Sequence, residues 1–63
     1  MSGLDKYILK ELDRQRIDSN SISIIFRKLE NVEKKNKFLN YLVGKRNVLL
    51  QPNEIIKYVC KEL

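Results

Sequence analysis

Histidine is absent from this chain of 63 residues, and cysteine occurs once, as Cys60. Without histidine, the Ser-His and Cys-His nucleophile pairs and the usual general base near neutral pH are excluded. A single cysteine rules out a disulfide within the chain, and a structural zinc site needs several Cys or His ligands. The sequence therefore predicts no metal site.

Glycine-rich segments are also lacking, since Gly3 and Gly44 are isolated and neither belongs to a phosphate-binding loop. The eight acidic residues are scattered among basic neighbours. A paired acid and base need an apolar cleft that raises one pKa, and we do not expect so short a chain to form one. We predict a protein that is not an enzyme and that has no cofactor and no small-molecule substrate.

Long apolar runs are missing as well; the longest, such as 48–50, are far shorter than the ~20 residues that span a bilayer. Residues 1–5 lack the basic and apolar regions of a signal peptide. Together with an unpaired thiol, these features favour a cytoplasmic protein. The abundance of Lys, Asn and Ile suggests an AT-rich coding sequence of bacterial or phage origin.

The residues that are present favour helices. Apolar residues make up 43% of the chain and charged residues 33%, with one proline. A chain of this length forms at most one domain. The sequence predicts an all-α fold, a compact single-domain bundle occupying residues 1–63, with four short helices at about 2–17, 20–31, 32–44 and 52–63.

The first two helices follow from apolar periodicity and capping residues. Leu4, Ile8 and Leu12 recur at intervals of four. The segment 2–5 resembles a capping box, and 18–21 is typical of a turn followed by an N-cap. Residues 21–26 remain open between helix and strand: apolar spacing over 22–29 favours a helix, whereas alternation over 21–24 favours a strand. We favour the helix.

Asn31 is expected to separate the second helix from the third, although one continuous helix over 21–43 is the alternative. On the third helix, one broad apolar face is predicted to organise the core. Its residues are Val32, Phe38, Leu39, Leu42 and Val43. Gly44 is expected to end this helix in the left-handed conformation.

Pro52 fits the first position of the last helix. Before it, Leu49 or Leu50 is expected to close one end of the core. Cys60 has two interpretations, a reactive thiol beside Lys57 and Lys61 or a small buried residue, and we favour burial.

Positive charge is concentrated in residues 34–46. The remaining charges of the chain cancel, so the net charge of +5 resides in this segment. Its residues are Lys34, Lys35, Lys37, Lys45 and Arg46. Lys35 and Arg46 fall within the apolar sector of the third helix, so we expect each to reach water or to meet an acidic residue.

Lys34, Lys37, Tyr41 and Lys45 form a stripe beside the apolar face. With Arg46, these residues are the candidate binding site for nucleic acid or for a partner, because lysines neutralise phosphates and an aromatic ring among them stacks on a base. The competing interpretation is a solvated face. Tyr7 and Tyr58 are expected at the edge of the core instead.

A protein-interaction surface is the remaining hypothesis, since so small a chain cannot bury all its apolar residues. The candidates for exposure are Ile24, Tyr41, Val48 and Leu49. The sequence thus favours a small interaction or regulatory module that docks on a protein partner or on a second copy of itself. Nucleic-acid binding is the alternative. We expect no membrane binding, because the third helix uses its apolar face in the core.

Overall fold

The computed structural model describes residues 3–63, and within this range it contains four α-helices and no strand. The helices are α1 (Gly3–Arg14), α2 (Ser19–Lys28), α3 (Val32–Gly44) and α4 (Pro52–Glu62). α1 packs against α3, and α2 packs against α4. The predicted all-α bundle of four short helices is confirmed. The capping box predicted at Ser2 lies outside the described residues.

α1 ends three residues earlier than predicted. The amide of Ile17 donates to the carbonyl of Leu12 (3.1 Å), and the amide of Arg16 donates to the carbonyl of Asp13 (2.9 Å). Arg16 has a φ of 57°, in the left-handed region. This pattern is a Schellman motif, in which the chain reverses and an apolar residue after the helix packs back on its last turns. The prediction that the helix continues to residue 17 is wrong. The left-handed backbone of Arg16 ends the helix and brings Ile17 into the same buried cluster as Leu12.

α2 is a helix, so the alternative of a strand over residues 21–26 is wrong. The Asp18 carboxylate caps its first turn by accepting hydrogen bonds from the Ser21 amide (3.2 Å) and hydroxyl (2.7 Å). The Ser21 hydroxyl, followed by the amide, lowers the pKa of Asp18. The helix ends at Lys28 rather than at residue 31, and the amide of Leu29 closes its last turn.

α3 is separate from α2, as expected, because Asn31 caps it. The side chain of Asn31 accepts a hydrogen bond of 2.9 Å from the amide of Lys34. The predicted left-handed glycine is wrong: Gly44 is the last helical residue and has no positive φ. The amide of Lys45 closes the last turn by donating to the carbonyl of Leu42 at 3.0 Å.

α4 begins at Pro52, where a missing N–H leaves no helical hydrogen bond unformed. The carbonyl of Gln51 accepts from the amides of Glu54 and Ile55, while its side chain makes no capping bond. Leu50, just before this helix, is buried, which confirms one of the two residues expected to close the core.

The core is built by apolar residues from all four helices and from the segments after α1, α2 and α3. Phe38 is the largest of its fully buried side chains. The buried apolar residues are Ile8, Leu12, Ile17, Ile25, Leu29, Phe38, Leu42, Leu50, Ile55 and Val59.

Four residues expected in the core or at its edge are exposed instead. Val32 and Val43 lie roughly 100–120° from the midpoint of the buried residues Phe38 and Leu42 on α3, so they fall outside its buried face. Tyr7 lies on the outward side of α1, where 63% of its surface is exposed. Cys60 is likewise exposed, beyond the buried side of α4. The predicted burial of these residues is wrong.

Candidate docking surface

The five residues predicted to bind nucleic acid or a partner have different surroundings in the fold. Lys34 lies 3.6 Å from the carboxylate of Glu30, and Lys37 lies 3.7 Å from that of Glu33. Both pairs are spaced by four residues, and their glutamates are well exposed. Such surface pairs contribute little to stability. They nevertheless offset part of the positive charge at this end of α3.

Tyr41 does not face outward among the lysines, contrary to the prediction. Its ring stacks on that of Tyr58, with centroids 3.8 Å apart and planes 7° from parallel. Both rings also lie near Phe38, so the three form a cluster that joins α3 to α4. Burial, followed by the charges of Glu54 and Tyr58, raises the pKa of Tyr41. Tyr58 therefore covers one face of the Tyr41 ring.

Arg46 meets an acidic residue, which is one of the two outcomes expected from its position in the apolar sector. Its Nε and Nη2 atoms donate to Oε1 and Oε2 of Glu11, each at 2.9 Å. Such a two-bond pair fixes both position and orientation. The hydrogen bond from Arg46 lowers the pKa of Glu11, although burial of the carboxylate opposes it, and the same bond raises the pKa of Arg46.

Lys35 also meets an acidic residue, since its Nζ lies 3.0 Å from Oδ1 of Asp5. Asp5 belongs to the start of α1 and Lys35 to the start of α3, whereas Glu11 and Arg46 lie near the ends of the same helices. The two ion pairs therefore hold α1 and α3 side by side in the same general direction.

Gln15 is buried just beyond α1 and fixes the path of the chain between α3 and α4. Its Nε2 donates to the carbonyls of Lys45 (3.2 Å) and Val48 (3.0 Å). Its Oε1 accepts from the amide of Leu50 at 2.9 Å. One side chain thus satisfies three backbone groups of the segment 45–51, which we call the connector.

The connector presents two apolar side chains to solvent. Val48 is 51% exposed and Leu49 is 73% exposed, while Leu50 points into the core. The exposure predicted for Val48 and Leu49 is therefore confirmed. Ile24, the third apolar candidate, is exposed on α2. Tyr41, the fourth, is half-buried.

Three cations belong to the same part of the fold as these two apolar residues. Lys45 and Arg46 belong to the connector itself, and Arg16 follows the glutamine that holds it. We call the group formed by Arg16, Lys45, Arg46, Val48 and Leu49 the docking surface. Lys34 and Lys37 are not part of it, because Lys34 lies roughly 16 Å from Lys45 along the axis of α3.

Sequence reasoning missed Glu11, Gln15 and Arg16. A signal for the first two was present, because Glu11 and Gln15 share the i, i+3, i+4, i+7 spacing of the core-facing residues Ile8 and Leu12. Polar residues at such positions are buried only with partners. Arg16 gave no comparable signal, since its role depends on its left-handed backbone.

Residues 3–63 include no group of three or more side chains able to hold a metal ion. Over the same range, the helices are too short or too polar to cross a membrane. Comparisons with known protein families, curated proteins and solved structures find no match to this chain.

Proposed function

We propose that this chain is a non-enzymatic protein-interaction module that binds a partner protein through the docking surface. The observation that carries the proposal is the outward placement of Val48 and Leu49 by a buried side chain. Gln15 binds the backbone of Lys45, Val48 and Leu50, and Leu50 already occupies the adjoining part of the core. Leu49 is therefore not buried in the core, and binding of a partner would bury it.

Charge complementarity defines the chemistry of the partner. The docking surface combines two aliphatic side chains with three cations, of which only Arg46 has a carboxylate partner within residues 3–63. Interfaces commonly combine an apolar centre with a polar rim of complementary charge. The surface fits a segment that carries apolar side chains flanked by Asp or Glu. Docking of this kind would also suit a regulator that covers a site on a larger protein.

A second copy of this chain fits the same surface less well. A two-fold interface brings identical patches together, so the cations of one surface would face those of the other. The net charge of +5 adds to this repulsion. We therefore expect a monomer, and sedimentation at two protein concentrations tests this. A dimer that is lost when Val48 and Leu49 are replaced by Ser would show that the partner is a second copy.

Peptide display on the intact chain tests the proposal directly. Random peptides selected for binding should become enriched in acidic residues next to Leu, Ile or Phe. The double variant Val48→Ser/Leu49→Ser should bind the recovered peptides at least about tenfold more weakly, which corresponds to roughly 1.4 kcal/mol. Thermal unfolding should be little changed, because exposed positions tolerate substitution.

Val32→Ser is the matched control. Val32 is as exposed as the docking residues but lies at the opposite end of α3, roughly 20 Å away. This variant should bind the recovered peptides as the wild type does. Peptides without acidic enrichment, or peptides that bind both variants equally, would contradict the proposal.

Nucleic-acid binding through Lys34, Lys37, Tyr41, Lys45 and Arg46 remains the alternative proposal. It is supported by the positive charge of α3, but its aromatic member is packed against Tyr58. Replacing Lys34, Lys37 and Lys45 together by Glu should abolish such binding without unfolding the protein. Failure to bind generic DNA or RNA at low salt would exclude it.

A further inference from the structure

The outward face of α1 combines an exposed aromatic ring with exposed cations, a combination that α3 lacks. Tyr7 is 63% exposed there, and Lys6 and Lys10 are exposed on the same side. Arg14 extends the face one turn further, with 67% of its side chain exposed. An open aromatic ring thus lies among three cations. We call these four residues the α1 surface.

The cations of the α1 surface are largely free of acidic partners. Neither Lys6 nor Lys10 forms an ion pair with another residue between 3 and 63. Arg14 lies 3.6 Å from Glu11, but that carboxylate is already held by two shorter bonds from Arg46. Lys34 and Lys37 of α3, in contrast, each have a glutamate one turn away.

A shallow cavity of about 250 Å³ adjoins this face. It is lined by Gly3, Lys6, Tyr7 and Lys10. Gly3 has no side chain, and apart from its chain neighbours and the nearby backbone of α1, no heavy atom of residues 3–63 lies within 4 Å of where its Cβ would be. A planar group seated there would contact both the ring of Tyr7 and the ammonium groups of the two lysines.

We propose that the α1 surface binds single-stranded nucleic acid, with phosphates on Lys6, Lys10 and Arg14 and a base on Tyr7. Aromatic stacking combined with a cationic track is how proteins bind single strands without sequence preference. The three cations recur every four residues, about 6 Å apart along the helix axis. Such a repeat suits successive phosphates of a strand rather than one isolated nucleotide.

A lipid surface fits this face less well. Membrane-surface helices bury an aliphatic face in the bilayer interface. The exposed positions of α1 that the structure describes carry no aliphatic side chain. This site shares no residue with the docking surface, so either one can fail without the other.

Fluorescence anisotropy with labelled oligo(dT) and oligo(U) of about twenty nucleotides tests the proposal on the intact chain. Binding should be measurable at about 50 mM salt and should weaken steeply towards 200 mM, because bound lysines release counterions from the strand. A duplex of the same length should bind more weakly, because its bases are not free to stack on Tyr7. Free nucleotide monophosphate should compete poorly.

Two double variants with matched charge locate the site. Each Lys→Glu change lowers the net charge by two units. Lys6→Glu/Lys10→Glu and Lys34→Glu/Lys37→Glu therefore both take the net charge from +5 to +1. The first should lose at least about tenfold in affinity and the second less than about threefold, since only the first removes phosphate contacts. Equal losses would show that net charge alone attracts the strand.

Tyr7 provides the second test of the site. Tyr7→Ala should weaken binding by about tenfold, while Tyr7→Phe keeps the ring and should bind as the wild type does. Tyr41→Phe should also leave binding unchanged. The proposal is overturned by an absence of binding at low salt, by equal losses in the two double variants, by an unaffected Tyr7→Ala, or by equally tight binding of the free nucleotide. Thermal melting of each variant separates these results from unfolding.

Discussion

Arg46 and Glu11 form two parallel hydrogen bonds, each 2.9 Å long, between residues separated by 35 positions in the sequence. The Glu11 side chain is almost fully buried, with 8% of its surface exposed. A buried carboxylate without a cation is strongly unfavourable. This pair therefore ties the end of α1 to the connector.

The pair predicts a stability that depends on pH. The pKa of Glu11 is lowered in the folded state, so its contribution is fully present above its ordinary pKa of 4.5 and is lost as the pH falls through the lower folded value. Arg46→Met removes the hydrogen bond that lowers the pKa of Glu11, while burial, which raises that pKa, remains. The variant should be less stable than the wild type at pH 7 and should lose less stability on acidification.

Chemical denaturation between pH 3 and pH 7 measures this effect. Lys37→Met is the control, because it breaks an exposed pair and should leave the pH dependence unchanged. Asp18 also has a lowered pKa, so part of the loss in acid should remain in both variants. Identical pH profiles of wild type and Arg46→Met would contradict the role assigned to Glu11.

Gln15→Ala should destabilise the fold by about 1–3 kcal/mol, because it leaves the amide of Leu50 and two carbonyls without partners. Gln51→Ala is the matched control: that side chain is exposed and caps nothing, so the change should stay within about 0.5 kcal/mol. Denaturant unfolding gives both values. Hydrogen exchange of the Leu50 amide should accelerate only in Gln15→Ala, and equal behaviour of the two variants would contradict the assignment.

Arg16→Gly should stabilise the protein by about 1 kcal/mol, since glycine adopts the left-handed conformation without the steric cost that a Cβ imposes. In a domain of this size, that corresponds to a rise in Tm of roughly 4–8 °C. Lys10→Gly, inside α1, should instead lower stability by about 1 kcal/mol. A lower Tm for Arg16→Gly would show that the arginine side chain contributes more than its backbone conformation costs.

Local patterns predicted the elements of the fold more reliably than the environment of individual side chains. Asn31 and Pro52 mark the starts of α3 and α4 because capping and proline geometry involve only neighbouring residues. The conflict between the charge of Arg46 and its place in the apolar sector also predicted either contact with water or an acidic partner. The sequence did not reveal that this partner is Glu11, because the two residues meet only when α1 packs against α3.

Tyr41 and Tyr7 illustrate where the candidate site was misjudged. On α3, Tyr41 lies at the margin of the apolar sector among lysines, and α4 covers that margin with Tyr58. On α1, Tyr7 occupies a similar marginal position, and nothing in the described part of the chain covers it to the same degree. Helical periodicity places both rings at the margin of the apolar sector of their helices, but it does not predict which margin a neighbouring helix will cover.

The sequence by itself determined the all-α fold and the existence of four helices, because helix formation depends on interactions within a few residues. It left Leu49 open between exposure and closure of the core. Only the tertiary structure decided how the charges pair and which aromatic ring stays open. Those outcomes depend on the way α1 packs on α3 and α2 on α4. The direction of that packing sets the surroundings of Glu11, Gln15 and Tyr41, and no local pattern encodes it.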